Sequence, residues 1–374
     1  MINELHKIWN IKPHNIHNDE FTGYEPVMQQ LDAFTKETYE KDPEGTISQV
    51  FDIYRSINLV PIIYFTENGV IKAIKEFQLT SYNNVRNNKI NLGNNKGQPL
   101  SRFLFPNMMT AEPKGRGSNS LKDRFYNDTK LKRAIRICFE MREGNHLASP
   151  TALRRALELV TGENIQNFKP QNARAIAEEL CPVMWGNVYD YSCGYGGRLL
   201  GISCSNMKYN YIGVDPNTET VKYLKYFNEL LEEAVGVTGT IIQDVSEDYQ
   251  PTDIDLAFSS PPYFNLEKYS DEETQCMVRY STLDEWFGNY AEPTIKRIYN
   301  GLNKDGLFAT NIADYKTYGK KEYKVVDDWI KISNGIGFEH IATIKMMLNT
   351  RPGVGNDKLA GREKWEGVYV FRRK

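Results

Sequence analysis

The spacing of hydrophobic and polar positions changes near the middle of the chain. From residue 188 onward, short apolar runs alternate with longer stretches whose apolar residues recur at helical spacing. The apolar runs predict strands at 188–191, 209–215, 239–243, 254–259, 306–313, 340–348 and 367–372. The stretches between them predict helices at about 198–204, 218–235, 282–300 and 325–336. Such alternation predicts a doubly wound, mostly parallel α/β sheet.

The last two predicted strands are joined by a long segment without a helical pattern, residues 349–366. Strands joined in this way form a hairpin, so we expect the last strand to be antiparallel. The segment is rich in glycine and basic residues and carries Trp365. Contact with a substrate and an ordinary hairpin loop both fit that composition.

The first 165 residues have a weaker and more mixed pattern. It predicts a helix at 25–39, a strand at 60–65 after a second helix, and a strand or short helix at 70–77. Residues 83–120 are rich in Asn, Gly and Lys, which predicts loops around one structured piece at 103–106. Further helices are predicted at 121–141, 150–162 and 170–180. The first two of these are basic, which fits either a helix–turn–helix or ordinary packing helices.

Three regions follow from these patterns. Residues 1–120 form an N-terminal α+β region, residues 121–165 a helical connector, and residues 166–374 the α/β domain. The chain has 374 residues, which is enough for two domains or for one large domain with an extension.

Composition narrows the class of protein and its compartment. With 40% hydrophobic and 25% charged residues the chain has an ordinary globular composition. No apolar run is long enough for a membrane span, and the N-terminal residues lack the apolar core of a secretory signal. The five cysteines include no CxxC pair, which favours a reducing compartment, so we expect a cytoplasmic protein of a bacterium or a phage-infected cell.

Metal binding is not expected from the sequence. The five histidines show no metal-ligand spacing, and His14 and His17 lie in a polar segment without further ligand residues. We therefore predict no metal and no membrane partner. The oligomeric state does not follow from the sequence.

Basic residues are concentrated although the net charge is only −2. Residues 84–136 contain twelve Lys and Arg against three Asp and Glu, and residues 345–374 contain eight against three. Clustered positive charge is what a phosphate backbone requires, although a solvated basic surface has the same composition.

Two motifs lie at the ends of predicted strands. The run at 254–258 stops at Ser259-Ser260-Pro261-Pro262-Tyr263, where two prolines cannot donate to a sheet ladder. In open α/β sheets, ligands bind at the carboxyl ends of strands. About 65 residues upstream, the strand that ends near Asp190 runs into a turn with Gly194, Gly196 and Gly197. Asp215 ends the next strand, where a carboxylate can accept hydrogen bonds from both hydroxyls of a ribose.

These motifs resemble those of the S-adenosylmethionine-dependent amino-methyltransferases that act on nucleic-acid bases. Residues 190–197 look like their glycine-rich cofactor motif, residues 213–216 like their acidic motif, and residues 260–263 like their (D/N/S)PP(Y/F) motif. Residues 167–175 are similar to the segment that closes over the methionine end of the cofactor. The resemblance covers residues 165–374. It implies a Rossmann-like seven-stranded sheet with an antiparallel last strand.

The resemblance also implies a cofactor, S-adenosylmethionine, and the residues that bind it. The backbone of the glycine turn contacts the methionine part, Asp215 the ribose, and Gln243 or Asp244 the adenine, while Asp190 fixes the loop and the ammonium. The full set of cofactor residues is Phe168, Pro170, Asp190, Ser192, Gly194, Tyr195, Gly196, Gly197, Asp215, Pro216, Gln243 and Asp244.

By the same resemblance, Ser260, Pro261, Pro262 and Tyr263 are catalytic. The exocyclic amine of cytosine or adenine is a poor nucleophile, and it is activated by positioning and by hydrogen-bond acceptors such as the Ser260 side chain and the Pro261 carbonyl. Tyr263 or Phe264 stacks on a base that has been flipped out of duplex DNA. The substrate-binding residues are Phe264, Asn265, Lys268 and Tyr269.

Several alternatives stay open at this point. Within the family that the motifs resemble, serine in the first position is seen more often in cytosine-N4 enzymes, so the resemblance favours cytosine N4 slightly over adenine N6. RNA, free nucleotides or a protein glutamine are other possible acceptors, and a nucleic-acid-binding protein without activity is an alternative of a different class. The short segments after the catalytic motif leave target recognition to residues 1–165. Restriction–modification, solitary modification and phage self-protection are equally compatible with the sequence.

Overall fold

The computed structural model describes residues 1–11, 20–21, 24–91, 93–113, 120–161, 165–316, 321–348 and 364–374. His14, His17 and most of the predicted loop at 349–366 lie outside these residues. The chain divides into two compact units. The first contains residues 1–73, 99–166 and 266–270, and the second contains residues 74–98, 167–265 and 271–374.

The helices and strands are numbered in chain order. The helices are α1 (Ile2–Ile8), α2 (Met28–Asp32), α3 (Lys36–Lys41), α4 (Pro43–Ile57), α5 (Glu67–Leu79), α6 (Gln98–Leu104), α7 (Pro106–Thr110), α8 (Leu121–Tyr126), α9 (Asp128–Glu140), α10 (Pro150–Thr161), α11 (Pro170–Leu180), α12 (Gly197–Ser203), α13 (Thr218–Val235), α14 (Cys276–Arg279), α15 (Leu283–Trp286), α16 (Glu292–Gly301) and α17 (Val326–Ile336). The strands are β1 (Glu20–Phe21), β2 (Tyr64–Phe65), β3 (Lys89–Ile90), β4 (Glu112–Pro113), β5 (Asn187–Asp190), β6 (Asn210–Asp215), β7 (Gly239–Gln243), β8 (Ile254–Ser259), β9 (Glu267–Lys268), β10 (Leu302–Asn311), β11 (Tyr315–Lys316), β12 (Glu322–Tyr323), β13 (Phe338–Met347) and β14 (Trp365–Arg373). A 3₁₀ turn (Glu25–Val27) precedes α2, and a π-helical turn (Phe287–Ala291) connects α15 to α16.

The second unit is built on one large sheet with the strand order β3-β13-β14-β10-β8-β5-β6-β7. Strands β7, β6, β5, β8 and β10 run parallel, whereas β14 is antiparallel to both of its neighbours. This confirms the predicted α/β class, the Rossmann-like sheet and the antiparallel last strand. The sheet has one more strand than the predicted seven, because β3 pairs with the edge of β13. A strand of two residues is too short to show a period in the sequence.

Local sequence explains the elements that border the site. Strand β8 has apolar residues on both faces because the sheet is covered on both sides, and so it reads as a continuous apolar run. Helix α13 begins where the Asn217 side chain accepts the backbone N–H of Thr220, and it ends at Gly236 in the left-handed conformation. A cluster that includes Trp286, Trp329 and Phe308 packs against this sheet.

The first unit is mainly helical, and the chain before residue 165 differs in places from the sequence pattern. The stretch at 70–77 belongs to helix α5, whose first turn contains the dipeptide Asn68-Gly69. The structured piece predicted at 103–106 is longer than expected, because helices α6 and α7 extend it on both sides, and Phe103, Leu104 and Phe105 are buried. The predicted helix at 121–141 is split into α8 and α9 at Asn127, which caps α9 with its side chain. The link from α9 to α10 spans residues 141–149, longer than the turn of a helix–turn–helix.

Candidate active site

Asp190 ends strand β5, and its carboxylate is fully buried, at 0% exposure. One oxygen accepts the Ser259 hydroxyl at 2.6 Å and the backbone N–H of Ser192 at 3.3 Å. The other accepts Arg198 Nε at 2.8 Å and the Tyr211 hydroxyl at 2.7 Å. These bonds hold the glycine turn against strands β6 and β8. A contact between Asp190 and the ammonium of a cofactor stays a prediction.

Arg198, in the first turn of α12, is a site residue that sequence reasoning missed. Its Nη1 donates to Ser260 Oγ at 3.4 Å, its Nη2 donates to the Ser192 carbonyl, and its guanidinium lies 5.6 Å from the centre of the Phe168 ring. Burial disfavours its charged form, but the Asp190 carboxylate outweighs this and raises the pKa of Arg198. Its position as a charged residue directly after the glycines, in an otherwise apolar helix, is the signal that could have identified it.

The glycine turn is shaped for close approach. Gly194 and Gly196 have φ values of 55° and 71°, which glycine adopts without strain. A Cβ at Gly194 would meet no atom within 4 Å, so one side of the turn faces open space among the described residues. A Cβ at Gly197 would lie 2.2 Å from the carbonyl oxygen of Phe168, and Asn167 Nδ2 donates to the Tyr195 carbonyl at 3.0 Å. The segment that leads into Pro170 and α11 therefore packs directly on the turn, beside the other predicted cofactor residues.

Asp215 ends strand β6 next to the turn and is 9% exposed. One carboxylate oxygen accepts the backbone N–H of Gly194 at 2.9 Å, and the other accepts that of Asn217 at 3.0 Å. Burial raises the pKa of Asp215 to about 6, although the two N–H groups act in the opposite direction. Each oxygen can still accept a second hydrogen bond, which matches the two hydroxyls of a ribose.

The other predicted cofactor residues lie at neighbouring strand ends. Gln243 ends β7 opposite Asp215, and its amide donates to Thr218 Oγ1 at 2.8 Å. Asp244 accepts the backbone N–H of Val245 at 2.8 Å. Pro216 directly follows Asp215. The carboxyl ends of β5, β6 and β7 thus bring the glycine turn, Asp215 and Gln243 to one edge of the sheet.

The Ser-Pro-Pro-Tyr turn follows β8, the strand beside β5. Ser260 Oγ lies 3.0 Å from Asn311 Oδ1 at the end of β10. The Pro262 carbonyl accepts Trp286 Nε1 at 3.2 Å, so the turn is also tied to α15. The two motifs, more than 60 residues apart in the chain, therefore meet through Ser259, Asp190 and Arg198.

The two aromatic residues of the turn have different surroundings. The Tyr263 hydroxyl accepts the Ala313 N–H at 3.0 Å and lies 3.4 Å from a Glu366 carboxylate oxygen. Tyr263 is half-buried, whereas Phe264 is buried in the core at 7% exposure and packs edge-on against Tyr323. Of the two candidates for stacking on a base, Tyr263 is the accessible one.

The predicted substrate residues after the turn are divided between the units. Asn265 adopts a left-handed backbone conformation, with φ at 56°, at the end of a segment of the second unit. Lys268 belongs to the first unit, where β9 pairs with β4 and places it opposite Glu112. The Tyr269 hydroxyl donates to Glu267 in the same short segment. The substrate roles of Phe264, Asn265, Lys268 and Tyr269 stay predictions.

Two features are absent from the part of the chain that the structure describes. No cluster of three or more His, Cys, Asp or Glu side chains in this part of the chain could hold a metal ion. No helix in it combines the length and the apolar character needed to cross a membrane.

A comparison with protein-family models gives no match, and a comparison with curated protein sequences gives none either. Solved structures with some similarity include a TehB-like SAM-dependent methyltransferase from Corynebacterium glutamicum (16% identity, 60% of this chain and 97% of that chain, TM-score 0.35). They also include TrmN from Thermus thermophilus (13% identity, 55% and 49%, TM-score 0.36) and a magnesium protoporphyrin IX methyltransferase from Synechocystis (14% identity, 55% and 79%, TM-score 0.34). These similarities are weak. The fold is therefore assigned from the strand order of this chain, and its activity is inferred from its own residues.

Proposed function

We propose that this protein is an S-adenosylmethionine-dependent methyltransferase that modifies the exocyclic amino group of a DNA base, cytosine N4 or adenine N6. The observation that carries the proposal is the junction of the two motifs. Asp190 accepts a hydrogen bond from the hydroxyl of Ser259, which ends the strand that leads into the Ser-Pro-Pro-Tyr turn. Arg198 donates hydrogen bonds both to Asp190 and to Ser260. A ligand held on the glycine turn would therefore lie beside the proposed acceptor site at the carboxyl ends of β5 and β8.

The residues at the glycine turn fit S-adenosylmethionine. Asp215 is a buried carboxylate that can still accept two hydroxyl donors, and the turn at Gly194 has open space beside it. Gly197 lets the segment before Pro170 approach closely enough to cover the ligand. When bound, the cofactor supplies a methyl group that is already activated on a sulfonium.

The Ser-Pro-Pro-Tyr turn contributes positioning and hydrogen-bond acceptors. The Ser260 hydroxyl oxygen and the Pro261 carbonyl would accept the two hydrogens of the target amine and stabilise the positive charge that develops on its nitrogen. Tyr263 would stack on the base. The bond from Trp286 to the Pro262 carbonyl holds the turn in place, so these groups are preorganised.

The substrate side of the proposal rests on charge and on base chemistry. The exposed basic residues between 84 and 136, such as Lys132 and Arg133, would contact phosphates, whereas Arg124 is buried at 1% exposure and would not. The first unit would recognise the target sequence. A base in a duplex must be flipped out to reach the turn. The setting that fits is the cytoplasm of a bacterium or of a phage-infected cell, with or without a restriction partner.

Transfer of a labelled methyl group from S-adenosylmethionine tests the proposal. Purified protein is incubated with duplex DNA, single-stranded DNA, RNA or a protein mixture. Ser260→Ala is the inactive variant, and Ser56→Ala, at an exposed hydroxyl of α4, is the matched control. Label in duplex DNA that is lost only in Ser260→Ala supports the proposal. Label in RNA or protein would show that the substrate is RNA or protein and not DNA. Failure to bind the cofactor would favour a non-catalytic nucleic-acid-binding protein.

A further inference from the structure

We infer that Asn311 and Arg198 are positioning residues that fix the hydrogen of the Ser260 hydroxyl, so that its oxygen faces the substrate only as a hydrogen-bond acceptor. The inference rests on the proposed function, because a hydrogen-bond acceptor in this place favours a methyl acceptor that carries a hydrogen, such as an amine. It assigns a task to Asn311, a residue that lies 51 positions after Ser260 and outside every motif of the sequence.

A serine hydroxyl is ambivalent, because it has one hydrogen to donate and two lone pairs with which to accept. A guanidinium, in contrast, can only donate. Arg198 Nη1 lies 3.4 Å from Ser260 Oγ, so this contact uses one lone pair of the hydroxyl oxygen. The hydrogen of Ser260 must therefore be directed elsewhere.

The acceptor for that hydrogen is the side-chain oxygen of Asn311, which lies 3.0 Å from Ser260 Oγ. The orientation of the Asn311 amide is set at its other end. Its Nδ2 donates to the Gly367 carbonyl at 3.0 Å, and a carbonyl can only accept. This acceptor at the nitrogen end places the oxygen end of Asn311 towards Ser260.

One lone pair of Ser260 Oγ remains after these two contacts, and Ser260 is only half-buried. An amine that approaches with an N–H would find an acceptor, whereas a keto oxygen would meet a lone pair and be repelled. Serine thereby behaves as the aspartate or asparagine of related motifs would, which accept without help from a neighbour. The Arg198 charge does not oppose a developing cation at the amine, because it is paired with Asp190 at 2.8 Å.

A double-mutant cycle on the full chain tests the consequence for catalysis. With Ser260 present, Asn311→Ala should lower kcat about tenfold, since the freed hydroxyl no longer presents a fixed acceptor, while the Kd for S-adenosylmethionine stays within about twofold. In the Ser260→Asp background, the same change should lower kcat less than about twofold, because a carboxylate accepts on its own. Asn303→Ala is the matched control, since Asn303 lies on the same strand and donates one bond to Asp255. An equal fall in both backgrounds, or no fall with Ser260, would overturn the inference.

Neutron diffraction on crystals of the full chain exchanged into D₂O tests the geometry without any turnover. Deuterium on Ser260 Oγ directed at Asn311 Oδ1 is the expected result. Deuterium directed anywhere else, or an ND₂ group of Asn311 facing Ser260, would overturn the inference. If the protein transfers methyl groups to no acceptor, the proposed function fails, and the neutron map still decides where the hydrogen lies.

Discussion

The buried ion pair between Asp190 and Arg198 gives the sharpest prediction about stability. Both side chains are almost inaccessible, with exposures of 0% for Asp190 and 6% for Arg198, and their atoms approach to 2.8 Å. Arg198→Met removes the counter-charge and the Nε hydrogen bond, while the Tyr211 and Ser259 hydroxyls still donate to the carboxylate. Breaking such a pair from one side destabilises a protein by about 3–5 kcal/mol, because a charge is left buried without a partner.

A double variant separates the cost of the unpaired Asp190 charge from the cost of lost packing. Replacing both charges, as in Asp190→Asn with Arg198→Met, leaves no unpaired charge, so most of the loss should be recovered. Arg372→Met is the matched control at an exposed pair, in which Arg372 lies 3.0 Å from Glu339 and both side chains are more than half exposed. That pair is screened by solvent, so its loss should be too small to resolve.

Urea unfolding followed by circular dichroism measures these changes in the free energy of unfolding. Because a chain of two units need not unfold in one step, amide exchange of β5 and β6 assigns the changes to the sheet. The expected order is wild type, then the double variant, then Arg198→Met. A loss below about 1 kcal/mol in Arg198→Met, or a double variant no more stable than the single one, would refute the reasoning.

Three further predictions concern the cofactor and the catalytic turn. Hydroxyl donors need the ionised carboxylate of Asp215, whose pKa is about 6, so affinity for S-adenosylmethionine should fall as pH drops below that value. Calorimetry should show this fall in the wild type, and a similar fall in Asp215→Asn would contradict the assignment. Gly197→Ala places a Cβ 2.2 Å from a backbone carbonyl oxygen, so it should weaken cofactor binding at least tenfold, which corresponds to about 1.4 kcal/mol. Gly288→Ala is the control, because Gly288 has open space around it and its replacement should leave the affinity unchanged. Trp286→Phe removes the bond to the Pro262 carbonyl and should lower kcat several-fold without changing the cofactor Kd, and a change in Kd alone would point to a structural role.

The sequence predicts those parts of the fold whose signals are local. Strand β8 and the proline turn after it occur where the pattern placed them, because a fully buried strand and a Pro-Pro unit leave clear signs. The glycine turn is equally local. In contrast, β3 forms only because the edge of β13 is available, and two residues carry no period.

The connections within the site depend on contacts that are distant in the chain. Nothing near Asn311 marks it as a partner of Ser260, because the contact arises only when β10 pairs with β8. Arg198 could have been singled out as a charge in an apolar helix, but its partners lie at the ends of strands β5 and β8. Phe264 has an aromatic ring of the kind that stacks on a base, and only the structure shows that this ring is buried in the core.

The central claim is methylation of an amino group in DNA, and one measurement tests it most directly. The protein is expressed in a bacterial host without DNA methylation of its own, and the host DNA is sequenced by a method that reports modified bases. The account predicts a short motif that carries N4-methylcytosine or N6-methyladenine, present with the wild type and lost in Ser260→Ala. Unmodified DNA from cells that contain folded, cofactor-binding protein would contradict it.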